Sequence, residues 1–394
     1  MPALKITATS LVNALGQGKA EVWQKICRDQ SGLRPATYPG LEFATWTGDV
    51  EAAASYPLEP GLDRFNCRNN RLAKLGLDND GFRAAVEVAK QKYGASRIGV
   101  FMGTSTSGIE ETEKAYRRMD ATIDSLPSDF DMLHTHNIAS VLAYTQASLG
   151  LNGVGLTIST ACSSSAKVFA TAHRHILAGY CDAAVVGGVD SLCLTTLYGF
   201  HSLQLVAAEP CRPWDAMRQG INIGEAAGYA LLEKDSNGTV GYRLLGYGES
   251  SDAYHMSTPH PQGDGAVLAM QQALSRAGLD AQQIGYINLH GTATPSNDSA
   301  EDAALSQVFN APVACSSTKG FTGHTLGAAG ITEILFCCLA LESGLLPANL
   351  NLQQHDPALK TEVLTENQRQ SIRYAMSNSF GFGGTNCSVI VGRE

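Results

Sequence analysis

Two junctions in this chain share one design, and together they limit what it can fold into. In the first, an apolar lead (Gly153-Val154-Gly155-Leu156-Thr157-Ile158) enters the turn Ser159-Thr160-Ala161-Cys162, and a helix-forming run follows from Ala166 to Gly179. In the second, Val313–Ser316 enters Gly323-His324-Thr325-Leu326-Gly327, and a helical run begins at Ala328. Each places one reactive side chain where a buried strand hands over to a helix. Elsewhere apolar strand-like runs (Arg97–Met102, Ala183–Gly187, Ala227–Leu232, Ile284–Leu289, Ser388–Val391) alternate with helical ones (Gly81–Tyr93, Ile138–Leu149, Ala266–Ala277, Ala300–Phe309), which predicts an α/β architecture. A duplicated domain with a site between the copies is the economical reading. The polar stretch Glu233–Gly238 reads as the turn between them, giving an N-terminal unit of 1–237 and a C-terminal unit of 238–394.

The bulk properties narrow the class. At 394 residues with 44% hydrophobic and 16% charged residues, the chain can bury a large core and is not disordered. A net charge of -9 argues against nucleic acid as partner. The ten cysteines contain no C-x-x-C pair, so a metal site has no sequence support. Met1-Pro2-Ala3-Leu4-Lys5 does not open a secretory signal, and a reducing cytoplasm is expected. The most apolar stretch, Ile331–Leu346, is interrupted by Glu333 and Glu342 and reads as too short to span a bilayer.

Chemistry concentrates in four places. Cys162 precedes a helix start, where free backbone N–H groups favour a thiolate and can hold a developing oxyanion; most cysteines, though, are merely small buried hydrophobes. His290 ends an apolar strand and opens Gly291-Thr292-Ala293-Thr294, a setting suited to hydrogen bonding in a cleft. His324 is preceded by Lys319, and Glu333 in the following apolar helix needs a cationic or donor partner if buried. Asn378-Ser379-Phe380-Gly381-Phe382-Gly383-Gly384-Thr385-Asn386 is a tight turn without the lysine of a phosphate loop, so its N–H groups are candidates for half an oxyanion hole.

These blocks, in this order and joined by Arg212-Pro213-Trp214-Asp215 and Gly224-Glu225-Ala226-Ala227-Gly228, resemble the elongating β-ketoacyl-(acyl-carrier-protein) synthases over nearly the whole chain. The resemblance implies a thiolase fold, with two pseudo-duplicated halves in α-β-α-β-α layers, and a dimer. It implies decarboxylative condensation of a cysteine-bound acyl chain with malonyl-acyl carrier protein, with no bound cofactor and with substrates carried on the 4'-phosphopantetheine of acyl carrier protein. On that resemblance Cys162 is the acyl-accepting nucleophile, and His290 and His324 hold the enolate formed on decarboxylation. Lys319 and Glu333 form the supporting ion pair. The N–H groups of Cys162 and Phe382 make the oxyanion hole. Phe382 gates the pocket, Thr292 and Thr294 meet the pantetheine arm, and Phe200 lines the acyl pocket.

The chain departs from the family pattern at Ala293 and in Asp215-Ala216-Met217-Arg218-Gln219-Gly220, which leaves acyl selectivity open. Its style also resembles the aryl polyene and polyketide ketosynthases, some of which pair with an inactive homologue, so homodimer and heterodimer both stand. The locally basic run with Arg64, Arg68, Arg71 and Lys74 reads either as a solvated helix face or as a docking site for an acidic carrier protein. Three other classes are weighed against synthase. A chain-length-factor-like partner typically lacks the cysteine. Other thiolase-fold enzymes need a second active-site cysteine, or an asparagine where His324 stands. A cysteine hydrolase would release free acid.

Overall fold

The computed structural model describes residues 1–393 except 121, 123 and 236–240. The expected boundary at 237/238 lies outside the described residues. Five strands on the main path of the large sheet precede it: β1 (Leu4–Asn13), β2 (Ile98–Gly103), β3 (Gly155–Ile158), β4 (Ala183–Asp190) and β5 (Ala226–Lys234). Five follow: β6 (Tyr242–Ser251), β7 (Tyr286–Asn288), β8 (Cys315–Ser316), β9 (Tyr374–Gly381) and β10 (Thr385–Arg393).

These ten strands run β8-β7-β9-β10-β6-β1-β5-β4-β2-β3, with the short strand Gly16–Gln17 appended to β1. Counted within its own half, each set has the order 3-2-4-5-1. In both, the fifth strand is antiparallel to its two neighbours while the second pairs in parallel with the third and fourth. The first strands of the two halves touch only through Leu4–Ile6 against Tyr242–Leu244. Just beyond, each carries a register shift, at Ile6/Ala8 and at Leu244/Gly246. A bulge bends and twists its strand. Both halves thus turn at the same point.

Parallel strands need crossover helices on the faces of the sheet. Two of these, α1 (Ser164–Leu177, after β3) and α2 (Ala329–Ser343, after β8), lie between the two sheets, and they share one core with Val186, Leu232, Val389 and Val391. Helices Arg68–Asp78, Phe82–Tyr93 and Ser140–Leu149 cover the outer face of the N-terminal sheet, and Asp264–Ala277 and Pro295–Val308 that of the C-terminal sheet. The result is five layers, α-β-α-β-α, the thiolase fold expected from the sequence. α1 and α2 approach closely through small residues: a Cβ on Gly330 would lie 2.4 Å from the Ala166 nitrogen. Contrary to the length argument made from sequence, Leu326–Ser343 is an 18-residue stretch of mean hydropathy 1.6, long enough to cross a bilayer by length and composition alone. However, 89% of it is buried inside the protein, so its apolarity is that of a central core helix.

Candidate active site

The first junction folds as a strained elbow. β3 ends at Ile158, the helix begins at Ser164, and Ala161 between them has φ 51°, a left-handed conformation that costs a non-glycine residue about 1–2 kcal/mol. Ser164 Oγ donates to the Ala161 carbonyl at 2.6 Å and accepts from the Thr160 amide at 2.9 Å, which holds the turn. Cys162, at the tip, is buried.

The second junction brings His324 to it: Nε2 lies 2.9 Å from Cys162 Sγ. The His324 backbone is held against the segment Asn222–Gly224, its N–H donating to the Asn222 carbonyl at 2.7 Å and its carbonyl accepting from the Gly224 amide at 3.0 Å. His290 follows β7. Its ring faces His324 edge-on, with centroids 5.4 Å apart. Lys319 Nζ reaches Glu333 Oε1 at 2.5 Å and also donates to the His290 carbonyl, and both members of this pair are buried. Glu333 thus has the cationic partner its burial demands.

The electrostatics correct one sequence expectation. Burial pushes the Cys162 thiol up to about 11. The Lys319 charge and the Phe382 and Cys162 amides, which favour the thiolate, work against that but do not overcome it. The helix start alone therefore does not give a resting thiolate; desolvation wins. Burial, and after it the Lys319 charge, holds both imidazoles well below the ordinary range, with His324 adding to the effect on His290. The trio rests as one neutral thiol and two neutral imidazoles. Burial raises Glu333 to about 7 even against the opposing pull of Lys319.

A cleft opens from Cys162, His290 and His324 past Phe200, Phe380 and Phe382. The rings of Phe200 and Phe382 lie 5.4 Å apart across it. The hydroxyls of Thr292 and Thr294 share a 2.9 Å hydrogen bond on its wall. Gly381 lies close against the elbow: a Cβ there would lie 3.0 Å from the Thr160 oxygen and 3.2 Å from the Cys162 nitrogen. Thr385 Oγ1 pins the loop by hydrogen bonds to the Thr160 carbonyl (2.9 Å) and Ser163 Oγ (2.8 Å).

The basic run is not an open docking face. Arg68 is held by Glu225, Nε to Oε1 at 2.5 Å, and that carboxylate is fully buried. Arg71 donates to the Ala53 carbonyl at 2.8 Å, and Lys74 pairs with Asp78 at 2.5 Å. Of the four, only Arg64 is exposed.

Two buried carboxylates went unnoticed in the sequence. Glu301 accepts from the His290 and Gly291 amides at 2.9 and 2.8 Å, fixing the turn that carries His290, and burial raises it to about 7. Asp190, at the end of β4, accepts from Thr104, Ser105 and Thr106 and from the Gly327 amide three residues beyond His324. Neither has a partner nearby in sequence that would have drawn attention to it.

Comparison with known proteins decides the family. Residues 73–238 match the model for the beta-ketoacyl synthase N-terminal domain, and 242–353 the model for the beta-ketoacyl synthase C-terminal domain. Over 98% of its length the chain is 36% identical to 3-oxoacyl-[acyl-carrier-protein] synthase 2 of Vibrio cholerae, of which it covers 98%. The chain belongs to the β-ketoacyl synthase family. This β-ketoacyl synthase is an acyltransferase of the condensing type expected from its motifs. It is also 32% identical, over 98% of its own length and 92% of the other, to the mitochondrial 3-oxoacyl-[acyl-carrier-protein] synthase of Arabidopsis thaliana. Among solved structures it resembles the ketosynthase ApeO in complex with its chain length factor ApeC from Xenorhabdus doucetiae (TM-score 0.91, 37% identity, 100% of this chain and 98% of that one). A β-ketoacyl synthase from Burkholderia phymatum matches at TM-score 0.89 and 27% identity, with both chains fully covered.

Proposed function

We propose that Cys162 takes an acyl chain from the phosphopantetheine thiol of acyl carrier protein and that His290 and His324 drive its condensation with a malonyl thioester. The observation that carries this is the 2.9 Å contact between Cys162 Sγ and His324 Nε2 in a cleft shared with a second neutral imidazole. In the first half-reaction the thiol proton passes to His324 Nε2 as Sγ attacks the acyl carbonyl. The tetrahedral oxyanion is held by the Cys162 and Phe382 amides. The carrier thiolate leaves and takes the proton. A thiol suits this exchange because nucleophile and leaving group are alike.

In the second half-reaction the malonyl carbon–carbon bond breaks, carbon dioxide leaves, and its electron pair passes to the thioester enolate. Imidazole Nε2–H groups of His290 and His324 donate to the enolate oxygen. Among the described residues neither Nδ1 has a hydrogen-bond partner, so the tautomer of each ring is free to suit each step. The enolate carbon attacks the Cys162 thioester, and the thiolate departs and takes up a proton from solvent through His324. Lys319, bridging Glu333 and the His290 carbonyl, acts as a positioning residue and keeps both rings neutral. Thr292 and Thr294 line the approach of the pantetheine arm, Phe200 lines the acyl pocket and Phe382 gates it. Arg64 is the one basic residue of the run left for carrier docking.

A specialised reading, in which the chain works as a heterodimer with a chain-length-factor-like homologue, draws support from the likeness to the ApeO complex. The outer edge of β3, with exposed Leu156, suits a protein partner, identical or homologous. Ten free thiols among the described residues suit a reducing cytoplasm. Intact mass measurement after incubation with acyl-carrier thioesters should show one acyl adduct that Cys162→Ala abolishes. Release of carbon dioxide from malonyl-carrier should fall in His290→Ala and His324→Ala. An adduct that survives Cys162→Ala, or undiminished release in both histidine variants, refutes the assignment. Co-purification with a homologue lacking the cysteine separates heterodimer from homodimer.

A further inference from the structure

The nucleophile and the two imidazoles are also a set of metal ligands. One ligand atom from each of Cys162, His290 and His324 lies within 4.8 Å of the others, and all three side chains are buried. A thiolate with two imidazoles is a donor set that favours zinc over magnesium or calcium. Tetrahedral Zn²⁺, with Zn–S about 2.3 Å and Zn–N about 2.0–2.1 Å, needs its ligand atoms roughly 3.3–3.6 Å apart. The Cys162–His324 contact at 2.9 Å would open slightly and His290 would turn inward. The fourth position then faces the cleft, as in zinc sites that keep one place for water. The nearby cation, Lys319, is already paired with Glu333, which lowers its repulsion of a divalent ion.

We propose that Cys162, His290 and His324 form a three-ligand site for a divalent ion of the zinc class, and that its occupation blocks acylation. The step is a ligand exchange: the Cys162 S–H bond breaks, the proton leaves to solvent, a Zn–S bond forms, and nothing is oxidised. Resident zinc sites brace their histidines through the second ring nitrogen, and loss of such a brace costs 10–100-fold in affinity. Here Nδ1 of His290 and of His324 has no hydrogen-bond partner among the described residues. The ion is therefore a reversible inhibitor, weaker by that factor than a structural zinc. Binding rests on the geometry alone; only the inhibition rests on the role proposed for Cys162.

The test uses the full chain freed of metal with a chelator. Equilibrium dialysis with Zn²⁺ should give one ion per chain in a Cys27→Ser background, which removes the exposed thiol, and at least 10-fold weaker binding in Cys162→Ala and His290→Ala. With Co²⁺ as probe, a thiolate-to-metal charge-transfer band should appear in the parent protein and vanish in Cys162→Ala. Acyl transfer should stop with saturating Zn²⁺ and return on chelation. Equal zinc affinity with and without Cys162, no charge-transfer band, or unchanged acylation in saturating zinc each overturns the proposal. Acylation of the metal-free protein is read separately, so a failed nucleophile and a failed metal site give different results. Were a variant to misfold, wild type already acylated on Cys162 should exclude the ion, and zinc binding undiminished by acylation would likewise refute the site.

Discussion

Gly381→Ala should disable the proposed oxyanion hole while leaving the histidines untouched. Gly381 has φ -98°, which alanine adopts freely, so backbone strain contributes nothing. The added methyl would meet the Thr160 oxygen at 3.0 Å, the Thr385 oxygen at 3.1 Å and the Cys162 nitrogen at 3.2 Å. All three are backbone atoms of the two segments that carry the proposed donors, and ordinary van der Waals contact needs a few tenths of an ångström more. The elbow and the loop cannot slide apart independently, because Thr385 ties them through Thr160 and Ser163. The methyl therefore shifts the Cys162 or Phe382 amide relative to the position of the oxyanion. Loss of one such donor costs about 10²–10³ in rate, against an overpacking penalty of about 1–3 kcal/mol in stability. Single-turnover acylation followed by intact mass, and condensation with malonyl-carrier, should both slow by that factor. Decarboxylation without condensation, which relies on the imidazoles, should change less than threefold. Equal loss in all three assays would mean that the histidines move with the elbow, and no loss in any would remove the two amides from the mechanism.

Four further outcomes follow from the same site and its surroundings. The rate of iodoacetamide labelling at Cys162 should climb about tenfold per pH unit from pH 7 towards its value of about 11, since only the thiolate reacts and burial keeps it scarce; a plateau by pH 8 in a labelling and mass-spectrometry series would show a resting thiolate instead. Glu301→Gln leaves one of the His290 and Gly291 amides facing an NH2 group, a loss of about 1–3 kcal/mol. It should slow malonyl decarboxylation with little change in acyl transfer, and equal slowing of both would make Glu301 merely structural. Arg68→Ala strands the buried Glu225 carboxylate and should lower stability by about 3–5 kcal/mol in denaturant titration. Arg64→Ala should leave stability unchanged and raise KM for acyl-carrier protein; the reverse pattern would restore Arg68 as the docking residue.

The residues proposed to carry chemistry stood out in the sequence because each sits in a short run of distinctive neighbours, and the structure brings Cys162, His290 and His324 together. The strands missed there were hidden by polar and glycine content. β6, Tyr-Arg-Leu-Leu-Gly-Tyr-Gly-Glu-Ser-Ser, reads like a loop, yet Gly246 and Gly248 are where helix Asp264–Ala277 lies on the sheet: a Cβ would come within 2.2 Å of the Ala273 oxygen and 1.8 Å of the Ala269 oxygen. β9 ends in Ser-Asn-Ser-Phe-Gly and is buried throughout that stretch. The Arg68–Asp78 helix looked like a charged surface because its key partner, Glu225, is 157 residues away. A basic residue's availability depends on such distant carboxylates, and nothing local encodes them.

What joins these features is the equivalence of the two junctions. Both lie after the third strand of their own half, so duplication puts Cys162 and His324 at matching places rather than adjacent ones. They meet because α1 and α2 cross at their first turns, where Gly330 lies on Ala166 and Ser165 Oγ accepts from the Ile331 amide at 2.9 Å. The small residues after each reactive side chain therefore serve the site as well as the packing: they set how closely one half can present its thiol to the other half's imidazole. His290 breaks the symmetry. It follows the second strand of its half, β7, where the N-terminal half has Thr104, Ser105 and Thr106 bound to Asp190. That position supplies the second imidazole on one side, while on the other it anchors Asp190, whose carboxylate reaches across to the Gly327 amide. One copy of the fold thus places the second histidine of the proposed site, and its counterpart steadies the loop that carries the first.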